Sequence, residues 1–132
     1  MKALSIHPKY ADEIARGVKD EEYRVWQTPH RGDLLICAST FNDGPNYVRG
    51  YALCVVNLSD IYKKYDEFTW YLDNVRMIEP FPVKGKLHLY DVDDSLIKPL
   101  LIKRKPAAYD DARKLWLAHG LCSDDDKPRK RQ

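Results

Sequence analysis

The stretch that decides the fold is residues 17–24, which read Gly-Val-Lys-Asp-Glu-Glu-Tyr-Arg. It follows a helix-like segment and leads into a strand-like one, so a helix end, a turn and an extended run occur in close succession. Because successive side chains of a strand point to opposite faces, Glu22 and Arg24 are expected on the same face. With Lys19 in the turn, the stretch offers three charged groups to one cleft.

The residues before this stretch predict a strand followed by a helix. Residues 2–7 alternate, with Leu4 and Ile6 on one face, and Pro8 suits the first turn of a helix because its missing N–H is not needed there. An apolar stripe then continues to Gly17, a residue that favours the left-handed cap at a helix end. The stripe consists of Tyr10, Ala11, Ile14 and Ala15.

The residues after the turn predict a second strand over residues 20–27. Tyr23 and Val25 form one alternating set and would face the core. Glu22, Arg24 and Trp26 form the other set and would face the cleft.

The rest of the chain predicts short strands, long connections and a second helix. Residues 59–68 are charged and favour a loop or a helical turn, and the prolines within 79–86 favour an extended connection over a central strand. A helix is expected at about 107–119, and the charge-dense residues 123–132 are expected to be disordered. Further strands are expected at 34–39, 48–58, 69–72, 75–78 and 87–92.

Composition limits the class of protein. The 132 residues, of which 44% are hydrophobic and 32% charged, predict one globular domain over residues 1–122. A net charge of +2 means that any nucleic-acid surface must come from local clustering of cations. No apolar run approaches the ~18 residues of a membrane span, so no membrane partner is expected.

Cysteine and histidine spacing give no sign of a metal or a cofactor. The three cysteines are far apart and lack a Cys-x-x-Cys pair, which favours a reducing, cytoplasmic location over a disulfide framework or a zinc ribbon. The four histidines have no ligand spacing to one another, and there is no glycine loop of the phosphate-binding type. We therefore expect neither metal nor cofactor.

The pattern Gly17-x-Lys19-x-x-Glu22-x-Arg24 resembles the signature of the ASCH domain family. Its context is similar too, since a strand and a proline-started helix precede it. The phrases Trp-Tyr-Leu-Asp-Asn-Val at 70–75 and Pro-Phe-Pro-Val-Lys-Gly at 80–85 are similar to the family's middle section. The resemblance covers about residues 2–92 and implies an α+β fold, a small, mixed, mainly antiparallel PUA-like β-barrel with an early helix, to which this chain adds a C-terminal helix.

The resemblance also implies a function, namely binding of RNA or another nucleic acid in the cleft beside the motif. RNA, or a nucleotide with a modified base, is expected rather than DNA, and the oligomeric state is open. The chemistry of the residues agrees, because Arg24 offers a planar fork to phosphate or base edges and Lys19 a mobile charge. Glu22 can accept from a cytosine amino group, Trp26 can stack a base, and phosphate contacts are expected from Arg49, Lys84 and Lys86.

Three alternatives stay open at this point. Some family members are hydrolases, so Lys19 and Glu22 would be catalytic in a ribonuclease or in an amidohydrolase acting on a nucleoside such as N4-acetylcytidine. The amidohydrolase branch has a threonine nucleophile where this chain has Glu22. A purely structural Glu22–Arg24 pair on an exposed sheet face, worth under ~1 kcal/mol, is the second alternative, and an adaptor with a Tyr/Trp protein-binding surface is the third.

Overall fold

The computed structural model describes residues 1–100 and 108–124. Six strands, two α-helices and one 3-10 turn make up the described part. In chain order they are β1 (Lys2–Ile6), α1 (Pro8–Ala15), β2 (Glu21–Arg24), β3 (Gly32–Ala38), β4 (Tyr51–Lys64), β5 (Glu67–Pro82), β6 (Tyr90–Asp91), the 3-10 turn (Asp94–Leu96) and α2 (Ala108–Ala118).

The strands form one six-stranded sheet in the order β2-β5-β4-β3-β1-β6. β1 and β3 are parallel, and every other neighbouring pair is antiparallel. The expectation of a mixed, mainly antiparallel sheet with an early and a late helix is therefore confirmed. The closed barrel is not, because within the described residues no pairing joins the edge strands β2 and β6.

A long β4–β5 hairpin dominates the sheet and corrects three expectations. Residues 59–68 are neither a loop nor a helical turn, since β4 runs to Lys64 and β5 begins at Glu67. The two strand pieces expected at 69–72 and 75–78 are one strand, in which Asn74 adopts a φ of 52° beside a shift of register. β5 continues to Pro82. On its other edge β2 pairs only with residues 68–71 and a single bridge joins Ile78 to Pro99, so among the described residues the segment 80–82 pairs with β4 alone, a position that prolines tolerate.

Two apolar clusters lie on opposite faces of the sheet. The larger contains Leu4, Ile6 and Trp70 from the strands, together with the apolar faces of α1 and α2. The smaller contains Ala3 and Tyr90. The alternation expected in β1 is thereby confirmed, and the stripe of α1 is buried at Ala11, Ile14 and Ala15 but not at Tyr10, which is 44% exposed.

The orientation expected for β2 is wrong, although its alternation is right. Tyr23 and Val25 are 50% and 76% exposed, whereas Glu22 is 6% exposed. The reason is that Glu22 pairs across the sheet with the fully buried Trp70, so its face is the inner one. A prediction from apolar character alone chooses the wrong face of β2. It does not take into account that Lys19 and Arg24 lie beside the buried Glu22 carboxylate and compensate its charge.

The C-terminal helix agrees with its expected position. α2 spans Ala108–Ala118, and Gly120 follows with a φ of 71°, as a helix-ending glycine does. Residue 107 and most of the tail expected to be disordered, residues 125–132, lie outside the described residues. Ser123 donates its backbone N–H to the Pro45 carbonyl at 2.8 Å.

In the described part of the chain, neither helix has the length and apolar character needed to cross a membrane.

Candidate functional site

The turn between α1 and β2 holds Lys19 in a fixed position. Gly17 has a φ of 79°, which is the left-handed conformation that glycine adopts without a steric penalty. The backbone N–H groups of Val18 and Lys19 both donate to the Glu13 carbonyl, at 2.8 and 3.1 Å. These hydrogen bonds at the end of α1 fix the backbone of Lys19 and so the point from which its side chain extends.

Glu22 lies between two cations. Its Oε2 is 3.2 Å from Nε of Arg24, and its Oε1 is 3.9 Å from Nζ of Lys19. The Glu22 side chain is 8% exposed, Lys19 18% and Arg24 25%, so the group is largely withdrawn from solvent. The structure thus brings together the three charged residues of the motif, and the reading as an exposed surface pair is wrong.

Burial raises the pKa of the Glu22 carboxyl group above its ordinary value. The positive charges of Arg24, Lys19 and His7 act in the opposite direction, but desolvation is the larger effect. A carboxyl group with a raised pKa beside an ammonium group can exchange a proton with a bound ligand.

Arg24 is anchored to the first strand. Its Nη2 donates to the Ser5 carbonyl at 3.3 Å, while its buried Nε, despite its closeness to Glu22, makes no aligned hydrogen bond. Within residues 1–100 and 108–124, the bond to the Ser5 carbonyl is the one aligned hydrogen bond of the guanidinium group, which also forms the ion pair with Glu22. N–H groups of Arg24 are therefore available for a ligand.

Two aromatic rings accompany Lys19. Its Nζ lies 4.8 Å from the centre of the Tyr23 ring and 5.3 Å from that of Tyr10. Cations are attracted to the faces of aromatic rings, so these contacts limit where the ammonium group moves.

Ser5 connects the charged group to a cavity of about 360 Å³. Its Oγ and the Tyr90 hydroxyl are 2.6 Å apart and share a hydrogen bond. Gly85 packs closely against the Ser5 hydroxyl group, since a Cβ at this position would lie 2.6 Å from the Ser5 Oγ. The cavity is lined by hydroxyl-bearing and glycine residues, by one cation and by three apolar residues, namely Ser5, Ser39, Thr40, Gly50, Gly85, Lys86, Ala38, Val83 and Leu87.

The remaining predicted residues are placed less centrally. Trp26 is half-buried and makes edge contacts with Trp70 and His88, at ring distances of 4.9 and 4.5 Å. Lys86 lines the Ser5 cavity, and both Lys84 and Lys86 line an adjoining cavity. Arg49 is exposed immediately before Gly50.

The family model described as the ASCH domain matches residues 4–98, most of the chain. This chain belongs to the ASCH domain family. The family expectation drawn from the motif is therefore confirmed.

Two curated relatives of this ASCH chain are the human and mouse proteins named activating signal cointegrator 1. Each is 44% identical over 45 residues, which is 34% of this chain. The chain spans only 8% of the length of these relatives. The crystal structure of the ZmASCH Y47F mutant protein from Zymomonas mobilis is 14% identical with a TM-score of 0.51, covers 92% of this chain and 98% of its own, and shows likeness of fold alone.

The sequence alone did not point to two residues beside the candidate site. Ser5 and Gly85 meet across the cavity. The one available signal was a polar residue, Ser5, inside an apolar strand. Among the described residues, no group of three or more His, Cys, Asp or Glu side chains is placed to hold a metal ion.

Proposed function

We propose that this ASCH domain binds nucleic acid, in the form of single-stranded RNA or a nucleotide with a modified base, beside Lys19, Glu22 and Arg24. The observation that carries the proposal is the position of Arg24. Its guanidinium group is fixed by the Ser5 carbonyl and the Glu22 carboxylate, yet keeps N–H donors, and Ser5 itself lines the neighbouring cavity.

A fixed arginine suits phosphate or base recognition. The planar guanidinium group makes paired hydrogen bonds, and holding it in place before binding reduces the entropy lost on association. The cavity volume of about 360 Å³ is within the range of sites that take small ligands, about 300–1,000 Å³. Its hydroxyl and glycine lining lets a sugar or base edge approach the backbone.

Exposed cations near the cavity would contact phosphates. Lys86 lines it, Arg49 precedes the lining residue Gly50, and Lys84 lies in the same loop as Lys86. Trp26 would offer the surface that Trp70 and His88 leave uncovered for stacking on a base. A cytoplasmic location, which the buried, free thiols of Cys37 and Cys54 favour, belongs to the same proposal. The name of the curated relatives states no ligand, so the proposal draws none from it.

The test is a titration of labelled single-stranded RNA, followed by fluorescence anisotropy at several salt concentrations. We expect the Lys19→Ala/Arg24→Ala double variant to lose at least about tenfold in affinity and to reduce the slope of affinity against salt by about 1–2. The control, Lys63→Ala/Lys114→Ala, removes the same charge from exposed positions elsewhere.

Equal loss in both double variants would show that binding depends on net charge and not on this site. DNA of the same sequence, titrated in parallel, decides between the two nucleic acids. Circular dichroism of each variant checks that the fold is retained.

A second candidate function is RNA cleavage, favoured by the raised pKa of Glu22. In this reaction the Glu22 carboxylate accepts the proton of a ribose 2′-hydroxyl, whose oxygen attacks the adjacent phosphorus. Lys19 and Arg24 stabilise the negative charge that develops on the phosphate. The departing 5′-oxygen takes up a proton from water, and the protonated Glu22 carboxyl group returns its proton to water. A cyclic phosphate and a 5′-hydroxyl are the products.

Glu22→Gln separates the two functions. It keeps the shape and a polar group but removes the proton acceptor, so cleavage should fall at least about a hundredfold while RNA affinity changes little. Incubation of the wild-type protein with RNA and with N4-acetylcytidine, followed by chromatography, measures turnover directly. Absence of products from both substrates eliminates the hydrolase alternatives.

A further inference from the structure

The outer face of the β2–β5–β4 sheet carries a cluster of exposed tyrosines that the proposed nucleic-acid site does not use. Tyr65 is 87% exposed, Tyr62 58%, Tyr23 50% and Tyr71 37%. We call these four residues the tyrosine face. Exposed aromatic rings that lie together are characteristic of protein-binding surfaces, because each ring offers a large contact area with little side-chain entropy to lose.

The strand register explains why the rings lie together. Tyr23 pairs with Thr69, Tyr62 pairs with the same Thr69 from the other side, and Tyr71 follows two residues later on the same face. The Tyr62 and Tyr71 rings make an edge contact at 5.6 Å. Three of the four rings are therefore placed by the sheet, and Tyr65 lies in the short turn that joins β4 to β5.

This face encloses a concave volume. A cavity of about 500 Å³ is lined by three of the tyrosines, Tyr23, Tyr65 and Tyr71, and by the end of the β4–β5 hairpin. Its charged lining consists of Glu21, Asp66 and Glu67 against Lys64 alone. Carboxylates thus predominate around the rings.

The same surface already binds a cation of this chain. The Tyr23 hydroxyl donates to Glu21 Oε1 at 2.7 Å, and Nζ of Lys19 lies 4.8 Å from the Tyr23 ring centre. A ring, a carboxylate and an ammonium group are thus combined at one edge of the face. Tyr65, Tyr71, Asp66 and Glu67 present the ring and carboxylate parts of the same combination at the cavity.

The conformation of Tyr65 adds an independent indication. It has a φ of 57° in the two-residue loop between Lys64 and Glu67, a conformation in which glycine or asparagine is favoured. Tyr65 is bulky and almost fully exposed, yet it occupies a position at which a small residue would relieve backbone strain. Strain of this kind at an exposed position is a recognised feature of binding sites.

We propose that the tyrosine face and its carboxylates bind an extended peptide segment rich in arginine or lysine, belonging to another protein. Arginine side chains stack on tyrosine rings and pair with carboxylates, so one such segment satisfies both features of the cavity. Nucleic acid and anionic membranes do not fit, because Glu21, Asp66 and Glu67 repel phosphate. This inference is independent of the proposed nucleic-acid function.

The experiment is a fluorescence anisotropy titration of the full chain with a labelled peptide of alternating arginine and glycine. A peptide with glutamate in place of arginine is the charge control and should not bind. We expect the Tyr65→Gly/Tyr71→Ser variant to weaken binding of the arginine peptide at least about tenfold. Asp66→Asn/Glu67→Gln should weaken it and also reduce its dependence on salt.

Leu96→Ala is the matched control, because it removes an exposed apolar side chain from a different surface and should leave peptide affinity unchanged. Tyr65→Gly suits the test because glycine adopts the backbone conformation of Tyr65, so the hairpin is expected to fold. Equal affinity of the wild-type and tyrosine variants for the arginine peptide, or absence of binding by the wild type, would overturn the proposal.

Two further measurements distinguish other occupants. RNA affinity should be unchanged in the tyrosine variant, and its loss would assign the face to nucleic acid instead. Analytical ultracentrifugation should give the same mass for the wild type and the variant. A dimer that the substitutions dissociate would identify a second copy of this chain as the occupant and would overturn the peptide proposal.

Discussion

Oε2 of Glu22 lies 3.2 Å from Nε of Arg24, and the two side chains share the inner face of a strand that is only four residues long. Each of the two charged side chains has a polar partner on this face. The carboxylate is almost fully buried, and the guanidinium group uses the Ser5 carbonyl as its hydrogen-bond acceptor. The pair is therefore part of the interior as well as part of the candidate site.

Removing Arg24 should destabilise the protein. Arg24→Ala leaves the buried Glu22 carboxylate with only the more distant Lys19, and we expect the free energy of unfolding to fall by about 1–3 kcal/mol. Urea denaturation followed by tryptophan fluorescence measures it. The double variant Glu22→Gln/Arg24→Ala should recover part of the loss, because no carboxylate then needs a partner. A double variant less stable than the single one would contradict this account.

Glu22 should also make stability depend on pH. Its pKa is raised by burial above the ordinary 4.5, so the folded state binds the proton more tightly than the unfolded state. The resulting stabilisation is complete below the unfolded pKa and is lost as pH rises through the folded pKa. The difference in unfolding free energy between the wild type and Glu22→Gln should therefore become less favourable to the wild type as the pH rises from about 4, and should then level off.

Denaturant titrations of both proteins at a series of pH values make this measurement. Asp12→Asn provides a parallel case, since burial also raises the pKa of Asp12, chiefly opposed by Arg16. A wild-type advantage that grows with pH would mean that the cations outweigh the burial of Glu22.

Gly85 should be intolerant of a side chain. In Gly85→Ala the new Cβ would lie 2.6 Å from Oγ and 3.1 Å from Cβ of Ser5, so the loop or the Ser5–Tyr90 hydrogen bond must shift. We expect a loss of about 1–3 kcal/mol in unfolding free energy and weaker RNA binding. The Ser5→Gly background removes both contacting atoms. Adding Gly85→Ala to it should therefore lower the free energy of unfolding clearly less than Gly85→Ala does in the wild type. Equal costs in the two backgrounds would rule out the steric explanation.

Tyr65→Gly should stabilise the hairpin. Glycine adopts the φ of 57° without the steric penalty that tyrosine meets, so we expect a gain of about 1 kcal/mol in the free energy of unfolding. Lys64→Gly is the control, since Lys64 is in the strand and glycine there should be destabilising. Thermal unfolding of both variants gives the comparison. A less stable Tyr65→Gly protein would mean that the exposed ring makes contacts that matter for folding.

Local patterns predicted much of the fold. Pro8 and Gly17 bracket the first helix, and the alternation of Leu4 and Ile6 gives the first strand, because these features depend on residues adjacent in sequence. The β4–β5 hairpin was missed. Its charged tip and its prolines look like loop residues, and only pairing with a distant strand makes the extended conformation favourable.

The sequence by itself determined the family, the motif and the alternation that places Glu22 and Arg24 on one face of β2. Tertiary structure decided which face is inside. Hydrophobicity favours Tyr23 and Val25 as core residues, but burial depends on what lies across the sheet, and Trp70 opposite Glu22 makes the charged face the inner one. The same choice turns Tyr23 outward, so one orientation of a short strand places Glu22 and Arg24 in the charged site and adds Tyr23 to the tyrosine face.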